Sequence, residues 1–128
     1  MAQWAVNENE LENNEALSKR PIDRAHLAKQ CLGDPNLERE ILRLFDTTIK
    51  NYYERLRLAA DYDGMAMNLH AIKGASAGVG AFEVTELARQ LERDLQGMRP
   101  LTTEQLDDLG MAVEEVRATI ADILSEAE

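Results

Sequence analysis

An all-α fold, an up-down antiparallel four-helix bundle with a short extra N-terminal helix, is what this 128-residue sequence predicts. Three observations lead there. Aromatics are scarce at 5%, and Leu, Ala, Met, Val and Ile dominate a hydrophobic fraction of 45%, a mixture that favours helix over strand. Only three prolines and seven glycines interrupt the chain. The apolar residues recur at three- and four-residue steps, in segments that open with helix-capping residues. The length suits one domain with a single core.

Taken in order, residues 1–20 are polar, rich in Glu and Asn, with scattered apolar side chains at Trp4, Val6, Leu11 and Leu17. They read as a flexible N-terminal tail, and residues 21–128 as the bundle domain. Asp23 is placed to cap a short first helix, with Ile22 and Leu27 as a hydrophobic staple and Gly33 as its stop. Asp34 followed by Pro35 starts a second helix, because proline is tolerated at the first helical position. Leu37, Ile41, Leu44, Thr48, Tyr52 and Leu56 give that helix its expected inward stripe. Asp61 or Asp63 caps the third helix, which runs to the glycines at 78 and 80. The fourth turns Val84, Leu87, Leu91 and Leu95 inward and stops near Gly97. Thr102 with Gln105 forms a capping box for the last helix, and Leu101 with Leu106 a staple. Leu106, Leu109, Val113, Val116, Ile120 and Ile123 then form a bundle seam. Short connections make sequential neighbours antiparallel.

Charge excludes some functions. A formal net charge of −10 argues against nucleic-acid binding, which needs a basic footprint. The acid is uneven: Thr102 to Glu128 holds eight acidic residues against Arg117 alone, a face expected to be solvated. Between His70 and Arg93 the charges balance, which marks where an anion or an acidic partner is tolerated. The lone Cys31 lies in an apolar helical pattern and reads as a small core residue. No basic start followed by an apolar run suggests a secretory signal. No apolar stretch is long enough to span a bilayer. The expected location is the cytoplasm, and nothing calls for dimerisation, so a monomer is expected.

The chemically specific stretch runs from Leu69 to Ala81. On a helix turning about 100° per residue, Met65, Leu69, Ile72, Ser76 and Val79 share the core face. His70 then lies roughly 130° from the middle of that face and points to solvent. Lys73 and Gly74 are its neighbours on the outward surface. Imidazole is substantially neutral at cellular pH, so one ring nitrogen has a lone pair for attack on phosphorus. An ammonium one turn away stabilises charge on transferring phosphoryl oxygens. Gly74 costs about 1 kcal/mol relative to alanine inside a helix, so another demand is being met there. Close approach of a partner to the imidazole is such a demand; tight helix packing is the alternative. A lone surface histidine usually has no role, and that reading is taken for His26. His70, Lys73 and Gly74 together read as a functional site.

This stretch resembles the histidine phosphotransfer (HPt) family signature, which has a His, a Lys-Gly three and four residues on, a later Gly, and a helix ending in Leu-Glu. Here those places hold His70, Lys73, Gly74, Gly80, Ala81, Leu87, Leu91 and Glu92. The likeness covers roughly residues 21 to 125, with Val84 where the family often has Leu and Gly78 as an extra glycine. The resemblance implies a phosphorelay intermediate. His70 would accept a phosphoryl group from a receiver-domain phospho-aspartate and pass it to another receiver. Lys73 would steady the phosphoryl oxygens and Gly74 would admit the partner. Receiver domains of response regulators or hybrid histidine kinases are the implied partners. No cofactor is expected on this chain, the magnesium ion belonging to the receiver, and no kinase activity of its own is expected. Glu92 stands where some relatives use a Gln to hold the imidazole, but an anion there would repel phosphate, which argues against a shared role. Gln90, Arg89, Arg93 and, with that reservation, Glu92 are candidate accessory residues.

Rival readings are weaker. A sensor-kinase dimerisation domain usually has an acidic residue after its His, where this chain has Ala71, and no Gly-rich phosphate loop is present. A di-metal bundle enzyme needs paired Glu-x-x-His motifs, and only Asp23 with His26 approaches one. An unphosphorylated adaptor that binds a kinase or receiver is the main alternative, disfavoured by the presence of both Lys73 and Gly74.

Overall fold

The computed structural model describes residues 20–126, which form five helices and no strand. These are α1 (Arg24–Gln30), α2 (Pro35–Leu58), α3 (Tyr62–Val79), α4 (Phe82–Gln96) and α5 (Thr103–Glu126). Of the tail expected over residues 1–20, residues 1–19 lie outside the described residues.

Four of the five helix starts are built from side chains as the sequence predicts, while α4 follows Ala81 without a side-chain cap. Asp23 accepts from the His26 amide at 3.1 Å. Asp34 accepts from the amides of Asn36 and Leu37, with Pro35 behind it. Asp61, rather than Asp63, caps α3 through the Gly64 amide at 2.8 Å. Thr102 and Gln105 exchange reciprocal bonds at 2.9 and 3.1 Å. Each such cap satisfies amides that have no partner within the helix and is worth about 1 kcal/mol.

The stop of α1 differs from expectation. The helix ends at Gln30, and Leu32, not glycine, takes the first left-handed position at φ 54°. Gly33 follows at φ 76°, and its amide returns to the Ala28 carbonyl at 2.9 Å. The stop of α3 needs glycine on two counts. Gly80 has φ 82°, and a Cβ there would meet the Asp23 carbonyl oxygen at 2.8 Å. That carbonyl is close because the Asp23 amide donates to the Gly80 oxygen at 2.9 Å, tying α1 to the α3–α4 turn.

Helices α2 to α5 form a ring in which each packs on the next and α5 closes onto α2; the diagonal pairs keep their backbones apart among the described residues. Helices α2 and α5 run antiparallel. Tyr53 near the end of α2 donates to the Leu106 carbonyl at the start of α5 (2.8 Å), and Arg117 far along α5 reaches back to Asp46 (2.9 Å). Inside the ring, Leu42, Ile49, Leu69, Ile72, Leu109 and Ile120 are almost wholly buried, each contributing about 1.5–3 kcal/mol by leaving water.

One register expectation is corrected. In α2 the buried stripe is Leu42, Phe45, Ile49 and Leu56, while Leu44 is 68% exposed and Leu37 lies at the rim. This helix has apolar residues on two adjacent faces, so periodicity alone leaves its rotation ambiguous by one residue. Contact with both α3 and α5 selects the face with Phe45. His26 is also corrected. It is no solvated surface residue: its ring packs edge-on against Phe82 at 5.0 Å, and Nε2 is buried without a hydrogen-bond partner. Cys31 is fully buried, as expected. Burial pushes its thiol pKa up, and the nearby Glu38 and Asp34 add to that. No described helix is long and apolar enough to cross a membrane.

Candidate functional site

The middle of α3 is anchored by its core face and leaves the opposite face free. Leu69, Ile72, Ser76 and Val79 are buried as predicted. Asn68 joins them unforeseen, its amide donating to the Gly64 carbonyl at 2.8 Å. Such a buried amide is tolerated because the helix itself supplies an acceptor one turn back. On the outward face Met67, His70, Gly74 and Gly78 are exposed. That face is apolar or small where the outward faces of α2 and α4 are charged. Gly78 does not shorten the helix, which continues to Val79.

His70 is 74% exposed at its side chain. Across the α3–α4 groove, Glu92 meets it: His70 Nδ1 lies 3.2 Å from Oε2 of Glu92. The other carboxylate oxygen, Oε1, accepts from Lys73 Nζ at 2.6 Å. Glu92 is only 13% exposed and Lys73 28%. Burial alone would raise the Glu92 pKa, but hydrogen bonds from Lys73 and His70, and their charges, outweigh it and hold the carboxyl below its ordinary value. Glu92 is therefore ionised at neutral pH. An ionised carboxylate only accepts, so Nδ1 is the donor and carries the hydrogen. In the neutral ring the lone pair then resides on Nε2, at the outer edge of the imidazole.

From the sequence Glu92 is an accessory candidate only, held back because an anion would repel phosphate, and its contact with Lys73 is not foreseen. Glu92 instead bridges the two groups that the sequence singles out, His70 and Lys73. The α3–α4 register that permits it is set lower in the groove, where the Ser76 and Thr85 hydroxyls meet at 2.8 Å in full burial.

Gly74 is exposed, and a Cβ built on it would meet nothing within 4 Å. Close helix packing does not account for it. The remaining accessory candidates are not drawn into the triad. Arg89 pairs with Glu86 on its own helix. Arg93 is exposed beside Glu92 in sequence. Gln90 turns to the other side of α4, where it lines a shallow hollow with Leu91, Gln105 and Asp108 against α5. Beside His70, a larger open groove of α2 and α3 is lined by Tyr52, Arg55, Leu58, Met67 and Ala71. No cluster of three or more His, Cys, Asp or Glu side chains is placed to hold a metal ion among the described residues.

Comparisons with known proteins bear on the family and the fold. The family model described as Hpt domain matches residues 40–119. The crystal structure of the HPT domain from the Hpt sensor hybrid histidine kinase from Shewanella superposes with a TM-score of 0.73. The identity is 20%, and the match covers 84% of this chain and 96% of that one. At that identity the likeness concerns the fold. A comparison with curated proteins finds no significant match.

Proposed function

The chain belongs to the Hpt domain family, and from that premise we propose that it is a phosphorelay intermediate whose phosphoacceptor is His70. The phosphoryl group arrives from a receiver-domain phospho-aspartate and leaves to the aspartate of another receiver. The observation that carries this reading is the exposed imidazole hydrogen-bonded through Nδ1 to Glu92, which leaves Nε2 free for attack.

Each residue has a distinct task in the acceptance step. The Nε2 lone pair attacks phosphorus while the acyl-phosphate oxygen departs with its electron pair on the receiver's aspartate. Glu92 fixes the tautomer, so little entropy is spent on choosing the reactive nitrogen. Lys73 Nζ sits one helical turn from His70 and offers positive charge to the equatorial phosphoryl oxygens. It also neutralises Glu92, which answers the repulsion an isolated anion would exert on phosphate. Gly74 keeps the surface low beside the ring, so a receiver's active site can close over Nε2. The exposed apolar side chains Met67 and Leu58, at the groove next to His70, form the face against which a receiver docks. The magnesium ion belongs to the receiver.

The test is transfer of labelled phosphate. The protein is mixed with a receiver domain phosphorylated on aspartate, and the label is followed. Base-stable, acid-labile label that disappears in His70→Gln is the expected result. Binding to several receivers without any label would identify an adaptor with the family's fold but not its chemistry.

A further inference from the structure

Accepting a phosphoryl group requires only a free lone pair on Nε2. A neutral amide at position 92 would fix the same tautomer, because its carbonyl oxygen also accepts from Nδ1–H. This chain instead has a carboxylate that is largely buried and hydrogen-bonded to both His70 and Lys73. The charge needs its own explanation, and the step that follows acceptance supplies one.

We propose that Glu92 governs the discharge of phospho-His70: its carboxylate keeps Nδ1 protonated, so that the ring departs as neutral imidazole rather than imidazolate when the phosphoryl group moves on. This rests on the phosphotransfer reading above and deepens it.

The bond changes balance without any proton entering or leaving. On charging, the Nε2 lone pair becomes the P–N bond, and the ring becomes a cation with its hydrogen still on Nδ1, facing Glu92. On discharge, an oxygen of the next carboxylate bonds phosphorus and the P–N pair returns to Nε2. The ring is then neutral with Nδ1–H again in place. Had Nδ1 lost its hydrogen meanwhile, the same cleavage would expel imidazolate, a far more basic leaving group.

The charges around the ring single out Glu92 for this work. On α3, Lys73 opposes a cationic ring, though its Nζ lies against Oε1 of Glu92. On α4, Arg89 is paired with Glu86 and Arg93 is exposed. On the α2 side, Arg55 lines the groove that Ala71 shares. Glu92 is the anion in contact with the ring, at 3.2 Å from Nδ1. Exchanging it for glutamine leaves the hydrogen bond and the tautomer but removes the anion in contact with the ring. Without that contact no neighbouring anion holds the Nδ1 hydrogen in place, so discharge on the alkaline side should slow, by about tenfold for each 1.4 kcal/mol of that attraction lost.

Phosphoramidate, a small phosphodonor to histidine, charges the ring without any receiver, and hydrolysis breaks the same P–N bond. Wild type and E92Q would be charged this way and the loss of phosphohistidine followed by phosphorus NMR from neutral to alkaline pH. In E92Q the charged form should persist about tenfold longer at the alkaline end, with the fall in rate displaced to lower pH. Coincident profiles would overturn the proposal, as would failure of phosphoramidate to charge His70 in the wild type. Should E92Q fail to fold, Lys73→Met serves: removing an opposing cation should displace the profile to higher pH, and no displacement counts against the proposal. A Glu92-dependent profile in a protein that exchanges phosphate with no receiver would remove the relay reading while leaving this ring chemistry in place.

Discussion

The hydroxyls of Ser76 and Thr85 meet at 2.8 Å inside the buried α3–α4 interface, and this bond fixes the register that brings His70 beside Glu92. Each hydroxyl also has a carbonyl of its own helix in reach, Ser76 that of Lys73 at 3.1 Å and Thr85 that of Ala81 at 3.0 Å; with one hydrogen each, one hydroxyl donates across the interface and the other to its carbonyl. Sliding one helix past the other would leave both groups buried without their partner across the interface, which is costly in a core. Ser76→Ala and Thr85→Val should therefore each destabilise the fold by about 1–2 kcal/mol. The double variant should lose less than the two losses combined, because the second change removes a group already orphaned. Chemical denaturation of all four proteins measures this. Strict additivity would deny that the two hydroxyls act as a pair.

Gly74 and Gly110 look alike in the sequence, each a glycine within a long helix, yet they should respond oppositely to alanine. A Cβ on Gly74 meets open space, so Gly74→Ala should stabilise the protein by about 1 kcal/mol through helix propensity alone. A Cβ on Gly110 would lie 2.8 Å from Cζ of Tyr53, whose hydroxyl donates to the Leu106 carbonyl. Gly110→Ala must displace that ring, and the lost bond and packing should cancel the propensity gain or exceed it. Thermal melts decide both. A bulky residue at Gly74 should leave the melt nearly unchanged and slow transfer from a receiver. If transfer is unaffected, partner access is not why glycine stands there.

How much of this was legible in the sequence follows from what is local. Caps such as Asp34 and the Thr102–Gln105 box depend on residues three or four apart, so their chemistry can be read along the chain. The outward placement of His70 follows from helical geometry once the core face of α3 is recognised. Rotation of α2 was not legible, because Leu44 and Phe45 are equally apolar and only the neighbouring helices choose between them. The full link of Glu92 to the site was not legible for a related reason. Its effect beside a phosphoryl group depends on Lys73, which lies on another helix and reaches the same carboxylate only through the α3–α4 register. His26 likewise needed Phe82, distant in sequence, to become part of the packing.

Lys73 should matter to rate more than to fold. Its ammonium is partly exposed and bonded to Glu92 at 2.6 Å, one turn from His70. Lys73→Ala removes positive charge from the transferring phosphoryl group and leaves Glu92 uncompensated beside it. Both effects slow acceptance, by about tenfold for each 1.4 kcal/mol of lost stabilisation, with solvent screening limiting the total. Transfer at saturating receiver should be slower but not abolished. An unchanged rate there would remove Lys73 from the chemistry and leave it a partner of Glu92 alone.

Glu92 should also write its ionisation into the pH dependence of stability. Burial acts to raise its pKa, yet the hydrogen bonds and charges of Lys73 and His70 bring the folded-state value below the ordinary one. A depressed carboxyl stabilises the fold at pH above its unfolded value, and the contribution is lost as pH falls through the folded value. The unfolded chain begins to take up the proton near pH ~4.3, the ordinary glutamate value. Wild type should therefore be more stable than Glu92→Gln at neutral pH, and the gap should begin to close near that ordinary value and vanish below it. Denaturant titrations of both proteins from neutral to acid pH measure the gap. A difference that stays constant throughout would mean that the carboxylate's charge contributes nothing to the fold and that only its shape is used.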